Sequence, residues 1–177
     1  MGGVGKRYAE ALLEVLKGAP EEAVLGDLKA FAEWLREVPG LRKALENPGV
    51  PSAVKEKVVR ELAARGGFQE ASTRFILLVV AHRRIRQWDE IVAAFQTLLD
   101  DRHGILRGQV VTARPLDGAR LGALTARLEK IFGKPVRLDA RVAPEVLGGV
   151  QLQIGSTVYD GSVAGALRSL RDVLVKG

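Results

Sequence analysis

The apolar residues of this chain change their spacing once. As far as about residue 105 they recur every three or four positions, and beyond it they alternate: Val136, Leu138, Ala140 and Val142 interleave with Arg137, Asp139 and Arg141. A helix repeats its faces every 3.6 residues and a strand every two, so one stretch cannot satisfy both patterns. The spacing predicts an α+β protein, an N-terminal all-α six-helix bundle over residues 1–105 followed by a small C-terminal α/β unit over 106–177.

The helical part divides at its glycines and prolines. Val4, Tyr8, Ala11, Leu12, Val15 and Leu16 form one stripe on a first helix. Gly18 and Pro20 end it, and Glu21 and Glu22 open a second that runs through Leu25, Leu28, Phe31, Ala32 and Leu35 to Val38, where Pro39-Gly40 stops it. A short helical turn around Leu41 to Leu45 precedes the breaker cluster "NPGVPS". A fourth helix, through Val54, Val58, Leu62 and Ala63, closes at Gly66-Gly67.

The fifth helix, "FILLVVA" at 75–81, is apolar all the way round, which a surface helix cannot be. It is expected to be buried on every side, either centrally or with one face on the core and another beneath a partner. The basic run "HRRIR" at its end suits a helix dipole. A sixth helix follows through Trp88, Ile91, Val92, Phe95, Leu98 and Leu99 to His103-Gly104.

In the last third, "ILRGQVVTA" reads as a strand before a helix with the stripe Leu121, Leu124, Leu128 and Ile131. "VRLDARV" reads as a half-buried strand, and "VQLQI" as another with Val150, Leu152 and Ile154 inward. Gly155-Ser156 has the form of a two-residue hairpin loop, Thr157 to Tyr159 of the returning strand, and Asp160-Gly161-Ser162 of a turn in which Ser162 caps a last helix.

Chemistry is hard to find in this inventory. The 177 residues contain no cysteine, which removes disulfides, thiolate metal sites and thiol nucleophiles together. "GGVGK" lacks the earlier glycine, the following hydroxyl and the preceding strand of a phosphate loop. His82 and His103 have no partner at metal-ligand spacing and read as solvated helix-end histidines. Asp160 and Ser162 have no nearby histidine, and the pairs Asp89-Glu90 and Asp100-Asp101 read as solvated surface. No catalytic, cofactor-binding or metal-binding residue is predicted.

No apolar run exceeds seven residues, too short to cross a bilayer, and Glu10, Glu14 and Lys17 interrupt what a signal peptide would need. Net charge is +6. Residues 1–105 carry 16 Lys/Arg against 15 Asp/Glu, and 106–177 carry 11 against 6, so the basic excess lies in the last third. That leaves open an alternative, a helical nucleic-acid-binding protein using its basic C-terminal unit, although no basic stretch is interleaved with stacking aromatics.

Three stretches carry a resemblance: "KRYAEALLEV", "VVAHRRIRQWDEIVAAFQTLLD" and, most specifically, "LGGVQLQIGSTVYDGSVAGALRSL". Along essentially its whole length the chain resembles the bacterial delta subunit of the F-type ATP synthase, a relative of the mitochondrial oligomycin-sensitivity-conferral protein. The resemblance implies a non-catalytic stator subunit of the peripheral stalk, without cofactor, on the cytoplasmic face of the bacterial plasma membrane. Its bundle would bind the N-terminal helix of an alpha subunit of the catalytic hexamer, and its C-terminal part the ends of the stalk b subunits. Carried over by position, Tyr8, Ala9 and Leu12 on the first helix and Phe75, Leu78 and Val79 on the fifth become groove candidates. Gly148, Gly149, Gly155, Asp160, Gly161 and Ser162 become structural residues. The family often has Ala where Gly5 stands, which would start the first helix later.

Overall fold

The computed structural model describes residues 3–16, 20–143, 150–154 and 157–160. They fall in two compact units, Met1–Leu99 and Asp100–Gly177.

The first unit is built from α1 (Gly3–Val15), α2 (Glu21–Glu37), α3 (Pro39–Glu46), α4 (Ser52–Gly66), α5 (Glu70–Ala81) and α6 (Trp88–Arg102), with a 3₁₀ turn at Ile85–Gln87; the last turn of α6 belongs to the second unit. Pro39 does not merely stop α2. It occupies the first turn of α3, where a missing N–H costs nothing, so what reads as a breaker is also a start. Gly67, at φ 65°, closes α4 with its N–H directed to the carbonyls of Ala63 and Ala64.

Leu28, Phe31, Ile76, Trp88, Ile91 and Phe95 are fully enclosed. Phe31 meets Trp88 edge-on at 5.1 Å, and the indole N–H of Trp88 donates to the Leu28 carbonyl at 3.3 Å, so the largest apolar body in the core leaves no unpaired donor. Two glycines permit close approaches. α1 begins before Gly5 rather than after it, and a Cβ on Gly5 would stand 3.1 Å from the Glu90 carbonyl oxygen of α6. A Cβ on Gly66 would lie 2.7 Å from Phe68 and 2.8 Å from Trp34, two rings stacked at 5.1 Å with only 5° between their planes.

In the second unit β1 (Leu106–Thr112), α7 (Gly118–Phe132), β2 (Val136–Val142), β3 (Val150–Ile154) and β4 (Thr157–Asp160) form a sheet of order β2-β1-β3-β4. β1 and β2 are parallel, with α7 in the connection between them, while β3 runs antiparallel to both β1 and β4. The Asp117 carboxylate caps α7 by accepting from Arg120 N–H at 2.7 Å.

Val110, Leu128, Val136 and Leu152 form the small core, with Leu121, Leu124 and Phe132 against it. Two expectations are corrected here. Ile131 is 67% exposed, and Phe132, a full turn after Leu128, packs inward instead. On β2 only Val136 is buried, and Ala140 and Val142 are exposed.

The carboxylate pair Asp100-Asp101 is also not simply solvated. Asp100 is 6% exposed and accepts from the Arg107 guanidinium at 2.7 and 3.2 Å, while Asp139 lies 3.4 Å from the same group. The hydrogen bond to Asp100, opposed by burial and helped by the charges of Asp100 and Asp139, raises the Arg107 pKa further above its ordinary value.

Ile154 pairs with Thr157, leaving two residues between the paired strands. Asp160 ends β4 opposite Gln151. Gly148, Gly149, Gly155, Gly161, Ser162 and the expected last helix lie outside the described residues.

Candidate functional site: an apolar groove between two helices

α5 is held at both ends by residues distant in sequence. At its start, the Asp27 carboxylate of α2 accepts from the Gln69 N–H at 2.8 Å and from the buried Ser72 hydroxyl at 2.6 Å. Gln69, the residue before the helix, makes no side-chain cap of its own, so a carboxylate from another helix satisfies an orphan donor and meets the positive end of the dipole. At its end, Arg83 N–H reaches Val80 O and Arg84 N–H reaches Val79 O, both at 2.9 Å, closing the last turn. The basic run therefore follows the helix rather than forming its last turn.

Fixed in this way, α5 is not buried on every side. Ile76 and Val79 are fully enclosed and Phe75 and Val80 nearly so, whereas Leu78 is 45% exposed. The central arrangement is therefore not the one observed: one face of α5 lies on the core and another is uncovered in this chain.

The uncovered face borders a groove of about 640 Å³ between α1 and α5. Its apolar lining comes from Val4, Tyr8, Leu12 and Val15 on one side and Phe75 and Leu78 on the other. Tyr8 spans it: its ring stands edge-on to Phe75 at 6.4 Å, and its hydroxyl is 2.9 Å from His82 Nδ1. His82 is thus a wall of the groove and a tie between two helices. Charged side chains stand along the rim, Arg7, Arg74 and Arg84 with Glu70, of which Arg74 and Glu70 are ion-paired.

Of the six groove candidates, Tyr8, Leu12, Phe75 and Leu78 come together on the groove wall. Ala9 and Val79 do not: both are fully buried in the bundle core. Sequence reasoning missed Val15, which is 79% exposed at the groove margin, and His82. Val15 was on the first helix's stripe; His82 carried no sequence signal for its partnership with a tyrosine 74 positions earlier.

Among the described residues no three His, Asp or Glu side chains are grouped to hold a metal ion, and no helix is long and apolar enough to cross a membrane. The fold and groove define a class: a helical bundle with an open apolar trough between two of its helices, followed by a small α/β unit.

Comparison with known proteins narrows the class. Residues 4–174 match the model of the family described as ATP synthase delta (OSCP) subunit. The chain is 36% identical to the ATP synthase subunit delta of Solidesulfovibrio magneticus, over 98% of this chain and 97% of that one. It is 36% identical to that of an Anaeromyxobacter species, over 97% and 96%. Among solved structures it is similar to a chain in a cryo-EM structure of the Toxoplasma gondii mitochondrial ATP synthase hexamer, at TM-score 0.75 and 26% identity, with 98% of each chain covered. The chain belongs to the ATP synthase delta (OSCP) subunit family, the delta-type subunits of the F-type ATP synthase peripheral stalk.

Proposed function

We propose that this chain is a non-catalytic stator subunit that joins two protein partners, with the bundle of residues 1–105 and the unit of residues 106–177 as separate binding modules. The groove between α1 and α5 receives the N-terminal helix of an alpha subunit of the catalytic hexamer. The C-terminal unit takes the ends of the stalk b subunits. The assembly lies at the cytoplasmic face of the bacterial plasma membrane, where the subunit resists torque without carrying out chemistry.

The observation that supports this reading is the uncovered apolar face: Leu78 and Val15 open to solvent beside Tyr8, Leu12 and Phe75, in a trough between two helices that are otherwise packed. An amphipathic helix laid there would remove Leu78 and Val15 from water, and apolar burial of this kind drives helix-in-groove recognition.

Calorimetric titration of the full chain with a synthetic peptide of the alpha subunit's N-terminal segment tests it. Binding at micromolar dissociation constant or tighter is expected, with a loss of tenfold or more in Leu78→Asp and a melting temperature lowered by no more than a few degrees. Absence of peptide binding, with salt-sensitive oligonucleotide binding in its place, would favour the nucleic-acid alternative.

A further inference from the structure

Beside the groove lies a second concavity, of about 480 Å³, between the first turn of α4 and the end of α5. The two share Leu78 and His82, so the second opening adjoins the groove at the end of α5. Lys55 lines this opening; it is 7% exposed, and its ammonium makes no hydrogen bond or ion pair with any described residue. Its stem is buried, while its ammonium is not among the enclosed polar atoms left without a partner, so the charge sits at the opening with no counter-charge beside it.

Its neighbours add to the positive potential. No side chain caps the N terminus of α4, so the donor end of that helix faces the same region. Arg83 also lines it. The one carboxylate on the wall, Glu56, is engaged by the Arg60 guanidinium at 2.7 and 3.0 Å. At the end of α5, the carbonyls of Leu78, Val79 and Val80 accept from His82, Arg84 and Arg83, and no side chain of that helix lining the opening is anionic, so only the partial negative charge of the helix end stands there.

Arg83 supplies a second argument. It is the one residue other than glycine with positive φ among those described, at 57°, in the position after a helix that glycine usually fills. An arginine there costs stability relative to glycine. A use for its side chain would offset that cost.

The geometry points to an anion subsite at Lys55 and Arg83 that receives an acidic side chain of the helix docked in the adjoining groove. The occupant is a carboxylate carried about one turn beyond that helix's apolar stripe. The subsite fixes which way the helix lies in the groove. This inference rests on the docking reading above.

The test titrates the full chain and its Lys55→Met, Lys55→Arg and Arg83→Gly variants with the alpha N-terminal peptide, and with a second peptide whose Asp and Glu are replaced by Asn and Gln. For Lys55→Met, roughly tenfold weaker binding and a shallower salt dependence are expected, with near-parental binding in Lys55→Arg. The amide peptide should bind parent and Lys55→Met equally, since each change removes the same interaction. Arg83→Gly should melt a few degrees higher yet bind the acidic peptide more weakly, a combination that a purely structural role would not give.

Equal binding by parent and Lys55→Met, alongside lost binding in Leu78→Asp, overturns the subsite and leaves the groove standing. No peptide binding by the parent overturns both. If the two peptides bind the parent equally while inorganic phosphate alone shifts the Lys55 side-chain NMR signal, the opening serves a free anion and the proposal fails.

Discussion

Exchanging two adjacent residues of α5 for aspartate, one at a time, separates core from groove. Val79 is 0% exposed and Leu78 is 45% exposed. Val79→Asp forfeits the transfer energy of a buried valine, roughly 1.5–3 kcal/mol. It also leaves a carboxyl group without a partner in the core, about 1–3 kcal/mol more even if the group is neutral. The sum of about 3–6 kcal/mol is comparable with the whole stability of a small domain, on the order of 5–15 kcal/mol. Leu78→Asp places its carboxylate in water on the groove wall and should cost within about 0.5–1 kcal/mol, part of it from the nearby negative end of the helix. Urea unfolding followed by the fluorescence of Trp34 and Trp88, both in this bundle, reads the difference, with far-UV circular dichroism as the second probe. Val79→Asp should be unfolded or melt at least 10 °C lower, at roughly 4–8 °C per kcal/mol, while Leu78→Asp keeps a cooperative transition a few degrees below the parental one and loses the alpha peptide. Equal stability in the two variants, or a Leu78→Asp protein as damaged as Val79→Asp, would refute the assignment of faces on which the groove rests.

Three further outcomes are expected. Asp27→Ala removes the acceptor for Gln69 N–H and the buried Ser72 hydroxyl and should lower the bundle's stability by about 1–3 kcal/mol in denaturant unfolding. Gly66→Ala drives a methyl group into the Trp34-Phe68 stack and should cost about 1–3 kcal/mol, visible as a change in the near-UV dichroism of Trp34. Arg107→Met strands the buried Asp100 and should destabilise the second unit by about 1.5–3 kcal/mol in hydrogen exchange of β1. Because pairing raises the Arg107 pKa, its contribution is fully present below the ordinary guanidinium range and is lost only as pH rises through the raised value. The difference between parent and variant should therefore persist as pH is raised from about 7 to about 10.

The change of spacing near residue 105, the apolar stripe of the first helix and the apolar excess of the fifth were readable because periodicity reports burial directly. Which residues of α5 face outward was not. In "FILLVVA" no polar side chain marks a solvent face, so Val79 and Leu78 were indistinguishable until neighbouring helices enclosed one and left the other. The polar ties were equally hidden: Asp27 meets Ser72 across 45 positions and Tyr8 meets His82 across 74, and neither spacing carries a local signal. Asp100 looked like half of a surface pair because its arginine lies in the following strand, past a turn. On α7 the choice between Ile131 and Phe132 was decided by rotation about the axis from Leu128, which composition alone does not reveal.

The most direct measurement is an NMR titration of the isotopically labelled full chain with the alpha N-terminal peptide, following side-chain and amide signals residue by residue. The account predicts that Tyr8, Leu12, Phe75, Leu78 and His82 shift together and show contacts to the peptide. Shifts confined to α2, α3 or α6, with these five unmoved at saturating peptide, would contradict it.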